Sequence, residues 1–346
     1  MLYVTTRNRF DTYTVQWAVT HDTASDGGLF VPMQWPVFSR EELGTLGKQS
    51  LYTTVARVLN SFFSVKLTEQ DIRFAVGKTT VNFVTMSHRL LLAELWHNSA
   101  GDFFATVDKI ACRLAQDYTG ARATNWVRIA VSIGFLCGIF GHLMAQNLAD
   151  PENPLDVAVE SGDFTLPMAA WYSRQMGLPI RNIVCGCNEN GAPWELLHKG
   201  ELRTGAPLVK TSTPLADFAL PVGLERLISA TLGYDEACAY AAVCCRGGVY
   251  APQVERWNIL RQGMLASIAG DQRIENLVAN VYRANSYVLG PYSALAYAGL
   301  MDHRAGAGGN TTALVLCRRS CLPEGEWMQR VLGVAGDRLS QLTQLQ

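Results

Sequence analysis

The chain begins with alternating apolar and polar positions, MLYVTTRNRFDTYTVQWAV, which read as strand from the first residue, and Asp26-Gly27-Gly28 then predicts a turn ahead of LFVP. The pattern changes to helical spacing over 40–64 and over 68–76, where Thr68 stands at the N-cap position. Between 103 and 146 it predicts two long helices parted by Asp117-Tyr118-Thr119-Gly120. The longest apolar run, IAVSIGFLCGIFGHLMA at 129–145, lies in the second of them. It falls short of the roughly 20 residues a membrane span needs, and three glycines and His142 interrupt it, so it reads as a core helix. AQNLADPENPL is a loop, LDVAVESG a buried strand, 166–176 a helix ended by Gly177-Leu178-Pro179, and IRNIVCGCN a second strand. Such a unit pairs its strands in parallel with a right-handed crossover. The fold class is therefore α/β, a parallel sheet flanked by helices, with Gly162 and Asn188 on the carboxyl rim where ligands bind such sheets. After 230 the pattern is helical to about 302, TTALVLC at 311–317 is one more strand, and a last helix begins near Glu324.

Composition narrows the chemistry. With 49% hydrophobic and 17% charged residues over 346 positions, the chain has material for an extensive core. It carries a net charge of −1 and no basic block, so charge-driven nucleic-acid binding has no support in the sequence. Six lysines (Lys48, Lys66, Lys78, Lys109, Lys199 and Lys210) stand against 23 arginines, a ratio that matters for any imine chemistry. The cysteine groupings Cys185-x-Cys187, Cys244-Cys245 and Cys317-x₃-Cys321 include no CxxC pair and no closely spaced histidine, so no metal site is expected. Nine cysteines without a disulfide-like framework, and an N-terminus without a secretory n-region and h-region, point to a reducing intracellular compartment, cytoplasm or mitochondrial matrix. Arg7 and Arg9 leave a short presequence open.

The loop after the buried strand, Ser161-Gly162-Asp163-Phe164-Thr165, has the small-residue-glycine start by which a chain offers backbone N–H groups to a phosphate, yet a carboxylate sits in its middle. Its neighbours make a series. YVTTR and DGGLFVP near the start, ELWH at 94–97, GDFFATVDKIACRLAQ at 101–116 and ATNWVRI at 123–129 precede SGDF, MGLPI, NEN and a TSTPLADF…LERL run at 211–227. In this order the features resemble threonine synthase, a fold-type II pyridoxal-phosphate enzyme that converts phosphohomoserine to threonine. The resemblance implies a tryptophan synthase beta-like large domain in truncated form. Residues 1–93 would form a threonine synthase-like N-terminal domain and 94–346 the remnant of the large domain.

Departures from the family carry the functional expectation. In the family, the equivalent of ELWH leads at once to the aldimine lysine and then to a small subdomain of about a hundred residues. Here Glu94-Leu95-Trp96-His97 passes through Asn98-Ser99-Ala100 into Gly101-Asp102-Phe103, so the small subdomain is expected to be deleted near 98–101. Extended without a gap, ELWH puts the lysine position on Phe104. The family's Ser-Gly-Asn-Phe-Gly-like phosphate loop has become Ser161-Gly162-Asp163-Phe164-Thr165. Unit charges about 4 Å apart repel by roughly 4 kcal/mol at an effective dielectric near 20. The Gly-Thr-Ala-His-Pro-like segment is replaced by Cys317-Arg318-Arg319-Ser320-Cys321, and the family's Ser-Ala-Asn by Gly120-Ala121-Arg122. Lys78 lacks the spacing of a phosphate loop, Lys109 lies at a polar helix position, His97 reads as a structural group, and Asp217 and Arg226 read as packing residues.

The expectation is a catalytically inactive, threonine synthase-like pseudoenzyme with no catalytic residue, no metal and no pyridoxal phosphate. It would act as a structural or assembly subunit whose protein partner covers the face exposed by the lost subdomain. Two alternatives use other chemistry: a small-anion or amino-acid binder with Asn188, Arg318 and Arg319 as the ligand rim, and a lyase of altered chemistry.

Overall fold

Two-residue alternation decides the centre of the molecule. In strand β4 (Leu90–His97), Leu91, Ala93 and Leu95 bury into one apolar cluster while Leu90 and Leu92 bury into a second on the opposite face. Strands β5 (Leu155–Glu160), β6 (Ile180–Cys187) and β10 (Ala313–Cys317) divide their side chains in the same way. The computed structural model describes residues 1–77, 79–97, 101–114, 125–307 and 311–344. These strands, with β3 (Thr80–Ser87) and β9 (Met264–Ile268), form a six-stranded sheet in the order β3-β4-β10-β5-β6-β9. Only β3 is antiparallel to its neighbour; β4, β10, β5, β6 and β9 run parallel. The fold is thus mixed α/β with a parallel-rich sheet between helical layers, as the sequence pattern predicts.

One layer is built on helix α6 (Trp126–Ala145), which packs against α2 (Arg40–Leu46), α3 (Leu51–Phe63), α5 (Phe103–Leu114) and α7 (Thr165–Gln175). Asn125 caps α6, its Oδ1 accepting from the Val127 N–H at 2.9 Å while its Nδ2 donates to the Val19 carbonyl at 3.1 Å. The glycines that interrupt the apolar run have a packing cause. A Cβ at Gly134 would lie 3.2 Å from Val55 Cα, and one at Gly141 would lie 2.8 Å from the Leu46 carbonyl oxygen. By length and composition α6 could cross a membrane, but 83% of its apolar window is buried inside the protein. The helix Pro291–Ala307 covers the other face of the sheet over β5, β6 and β10.

Several expectations are corrected. The N-terminal stretch is not strand throughout: β1 (Tyr3–Thr5) and β2 (Phe30–Pro32) form a separate antiparallel pair, and Val15–Thr20 is helix α1. VQWAV fits either period, and Thr14, whose hydroxyl accepts from the Trp17 N–H, starts the helix. Residues 40–64 are two helices, because Ser50 caps a new start. Thr68 does cap α4 (Glu69–Val76), in a capping box with Asp71. The hairpin β3–β4 was not read from the sequence, and β9 lies inside the stretch read as helical, since five apolar-rich residues between helices carry no decisive period. A further short pair, β7 (Leu202–Arg203) with β8 (Val249–Tyr250), stands apart from the main sheet. A domain division at 93 falls inside β4, and sheet membership sets residues 80–97 with the later strands.

The parallel strands bring one set of carboxyl ends to a common rim: His97 of β4, Arg318 after β10, Ser161 after β5 and Asn188 after β6. Under that rim Gly186 of β6 touches the helix Pro291–Ala307 so closely that a Cβ would sit 2.0 Å from the Leu295 carbonyl oxygen. Backbone on both sides cannot yield cheaply. The expected result for Gly186→Ala is a loss of about 3 kcal/mol or more of unfolding free energy, read by urea denaturation.

Candidate functional site

The loop Ser161–Thr165 holds its shape through the backbone. The Ser161 N–H donates to the Gly186 carbonyl at 2.8 Å and the Phe164 N–H closes back on the Ser161 carbonyl at 2.8 Å. Gly162 has φ +41°, and Phe164 takes a left-handed φ of +71° that a bulky residue adopts only when packing fixes it. Packing does fix it, since its ring is fully buried. Asp163 then turns inward. Its Oδ1 accepts from the Thr165 N–H at 2.8 Å, at the start of α7, and its Oδ2 accepts from Arg128 Nη1 at 2.9 Å. The Thr165 N–H, which could face a bound anion at the start of α7, therefore meets a resident carboxylate.

Arg128 comes from α6 and is as buried as its partner, at 7% and 8% side-chain exposure. Its guanidinium carbon lies 3.9 Å from the centre of the Phe104 ring, and that of Arg318 lies 4.9 Å from the same ring. Arg318 in turn pairs with Glu160 at 3.2 Å, both nearly fully buried. Phe104, the position onto which an ungapped extension of ELWH places the aldimine lysine, is thus flanked by two arginines, each matched to a carboxylate. Cation–π contact and charge pairing together let the two cations stay desolvated. The pairing is incomplete: Arg318 Nη2, Arg128 Nε, Glu160 Oε2 and Thr165 Oγ1 are buried without a hydrogen-bond partner among the described residues. Burial pushes the Glu160 carboxyl up to about 7, against the pull of Arg318 and with the nearby Asp163 charge adding to the rise.

The proposed ligand rim does not act as one set. Arg318 belongs to the Phe104 cluster. Arg319 turns to Asp102 at 2.8 Å and Glu324 at 2.9 Å. Asn188 is spent in a separate polar knot, its Nδ2 lying 2.8 Å from Asp217 Oδ1 and 3.0 Å from the Thr211 and Thr213 hydroxyls. Asp217 also accepts from the Thr211 N–H, and Arg226 reaches the Phe30 carbonyl, so both hold packing as expected. His97 Nε2 contacts Glu94 at 2.7 Å and its ring stacks on Trp96. Burial raises the Glu94 carboxyl, but bonds from His97, Tyr287 and Asn82 outweigh it and leave it below its usual range.

Beside His97 lies an open depression of about 780 Å³, lined among others by Phe74, Trp96, Gly101, Lys109 and Ser320. Phe74 is 85% exposed there. Lys78, the junction Asn98–Ala100 and the Gly120-Ala121-Arg122 segment lie outside the described residues. Sequence reasoning missed Arg128 and Glu160. Arg128 is the one guanidinium, ammonium or carboxylate group in the apolar α6, and Glu160 ends an otherwise apolar strand that also buries Asp156; a charge in such a setting signals a required buried partner.

Known proteins match this chain in sequence and in fold. Residues 2–79 match the family model described as "Threonine synthase N terminus". The Homo sapiens protein "Threonine synthase-like 1" is 24% identical over 182 residues, 51% of this chain and 24% of that protein. The chain thus spans about a quarter of the length of the first curated relatives it matches. The structure of PLP-bound threonine synthase from Brucella melitensis superposes with a TM-score of 0.86 at 18% identity, covering 96% of this chain and 92% of that one. Yeast threonine synthase gives 0.84 at 15% identity, covering 99% and 94%. The chain is therefore threonine synthase-like in its N-terminal sequence and has the threonine synthase fold.

Two outcomes follow from the buried charges. Arg128→Met should cost about 3–5 kcal/mol by stranding Asp163, and adding Asp163→Asn should return more than half of that, measured by urea unfolding in a double-mutant cycle. Folded Glu160 keeps its proton to about pH 7, whereas the unfolded chain releases it near 4.5. Stability should therefore fall as pH rises through that window and level off above it, and Glu160→Gln should remove this part of the slope.

Proposed function

We propose that this chain is a non-catalytic, threonine synthase-like subunit that has given up pyridoxal phosphate and serves as a scaffold for a protein partner. One observation carries the reading: Phe104 stands between Arg128 and Arg318, each paired with a carboxylate of its own chain. These residues do not fit the cofactor. Imine formation needs an amine, and an ungapped extension of ELWH reaches a phenyl ring, while a gap near 98–101 removes the position altogether; a phosphate needs unclaimed N–H donors and positive charge, and Asp163 occupies the Thr165 N–H and pairs with Arg128. The short link between His97 and Gly101, where relatives are expected to carry a small subdomain, agrees with an absent second wall.

The partner face we assign to the depression around Phe74 and Trp96, an aromatic surface at the carboxyl end of β4 next to that link. The cysteine content and absence of disulfides among the described residues fit work in a reducing compartment. A second reading, a binder of a small carboxylate or other anion, has one specific observation behind it: the buried Arg318 Nη2 and Thr165 Oγ1 have no hydrogen-bond partner among the described residues. The lyase alternative rests on Lys109, which lines the depression.

The native protein mixed with pyridoxal phosphate should develop no yellow aldimine absorbance, and borohydride reduction should leave no pyridoxyl-lysine in its peptides; an adduct on Lys109 or any other lysine would end the proposal. Purified from its own cells, the protein should elute with a partner at fixed stoichiometry. Phe74→Glu, at an exposed site, should release that partner without changing the thermal midpoint.

A further inference from the structure

The main sheet has two edges, β3 and β9, and their chemistry differs. β9 is five residues long, and its Ser267 donates to Asp302, which pairs with Arg273 at 2.5 Å, so charge stands at that side. β3 is eight residues, TVNFVTMS, without a charge or a proline. Register shifts against β4 bracket it, leaving Asn82–Thr85 regular. Apart from the Met86 carbonyl, which accepts from Asn285 Nδ2 at 3.4 Å, such an edge presents N–H and C=O groups to water or to another strand, and proteins ordinarily blunt it with charge, proline or bulges.

Its side chains show the same lack of cover. Val81 and Phe83 rest against one apolar cluster and Val84 and Met86 against the other, yet all four are only half-buried, whereas Leu91, Leu92 and Ala93 beside them on β4 are buried. On the α6 side the strand borders a concavity of about 300 Å³, formed by Gly47, Leu51, Tyr52, Val81, Phe83 and Ile139 with a few neighbours. No carboxylate, ammonium or guanidinium lines it among the described residues. A backbone row beside a pocket that, apart from the His142 imidazole, carries no ionic side chain among the described residues is the arrangement in which main-chain pairing supplies affinity and a pocket for an alternate side chain selects the sequence.

We infer that the outer edge of β3 is a strand-addition site: an extended, uncharged segment of a partner protein pairs with Thr80–Ser87 and seats an aliphatic side chain in the concavity between Phe83, α3 and α6. A second copy of the chain meets the site less well. Two β3 strands joined antiparallel about a two-fold axis normal to the sheet pair odd positions with odd ones, so the side chains reaching the partner's concavity would be Val81, Phe83 and Thr85. Phe83, the largest, is already stacked on its own His142 at 4.5 Å. The inference is independent of whether the rim binds a cofactor, because β3 shares no residue with the loop Ser161–Thr165.

The test uses the full chain and the end-blocked, fluorescently labelled peptide Thr-Leu-Thr-Val-Thr-Leu-Thr, with its leucine-to-alanine counterpart. Anisotropy should show saturable binding of the leucine peptide, and the alanine peptide should bind roughly tenfold or more weakly. Leu51→Trp, which fills the concavity, should weaken binding by a similar factor while unlabelled wild-type chain competes fully. Hydrogen exchange on the unmodified chain supplies a readout that needs no variant: the Asn82–Thr85 amides should exchange fast alone and slow on adding the peptide. No saturable binding at any soluble concentration would overturn the inference. So would slow exchange in the isolated chain together with sedimentation as a dimer, which would make a second copy the occupant.

Discussion

A charge taken out of water must meet an opposite charge, and that constraint organises the rim of this protein. Arg128 and Arg318 approach Phe104 from separate elements, and each would be costly to bury alone. Asp163 compensates Arg128 from one side of the turn, and Glu160, which holds its proton to about pH 7, meets Arg318 as a carboxylate only above that pH. The loop therefore does keep an anion at the start of α7, but the anion is part of the loop. The left-handed Phe164 follows from the same arrangement, since its buried ring pins the turn that presents Asp163 inward.

The topology makes that cluster local to a point where four chain segments meet. β5 delivers Glu160, β10 delivers Arg318, α6 brings Arg128 and α5 brings Phe104. Five parallel strands aim their carboxyl ends at this region, which is where an α/β sheet offers room for chemistry. Here the room has been used for self-contact. Next to it lies the open depression around Phe74, Trp96 and His97.

Much of the scaffold was legible in the sequence because burial leaves a period. LDVAVESG, IRNIVCGCN and TTALVLC are strands where the pattern put them, and Thr68 begins its helix. The failures share a cause. VQWAV and MLASI are too short for their period to be unique, and the β3–β4 hairpin has no glycine or asparagine turn to announce it. At the rim, the altered loop was visible in Asp163, but its partner was not, because Arg128 is 35 positions away and only the crossing of α6 and α7 joins them. The placement of Asn188, Arg318 and Arg319 at strand ends suggested one ligand rim, whereas Asn188 bonds within a knot of its own and the two arginines, both over the Tyr292 ring, pair with different carboxylates.

The position of β10 has a consequence for how the molecule comes into being. The last strand in sequence lies between β4 and β5, bonded to both. While the chain is being translated, the two halves of the sheet have no shared edge, and their inner strands wait with open backbone until residue 317 has left the ribosome. A nascent chain thus carries an unfinished sheet from the emergence of β4 until β10 follows it.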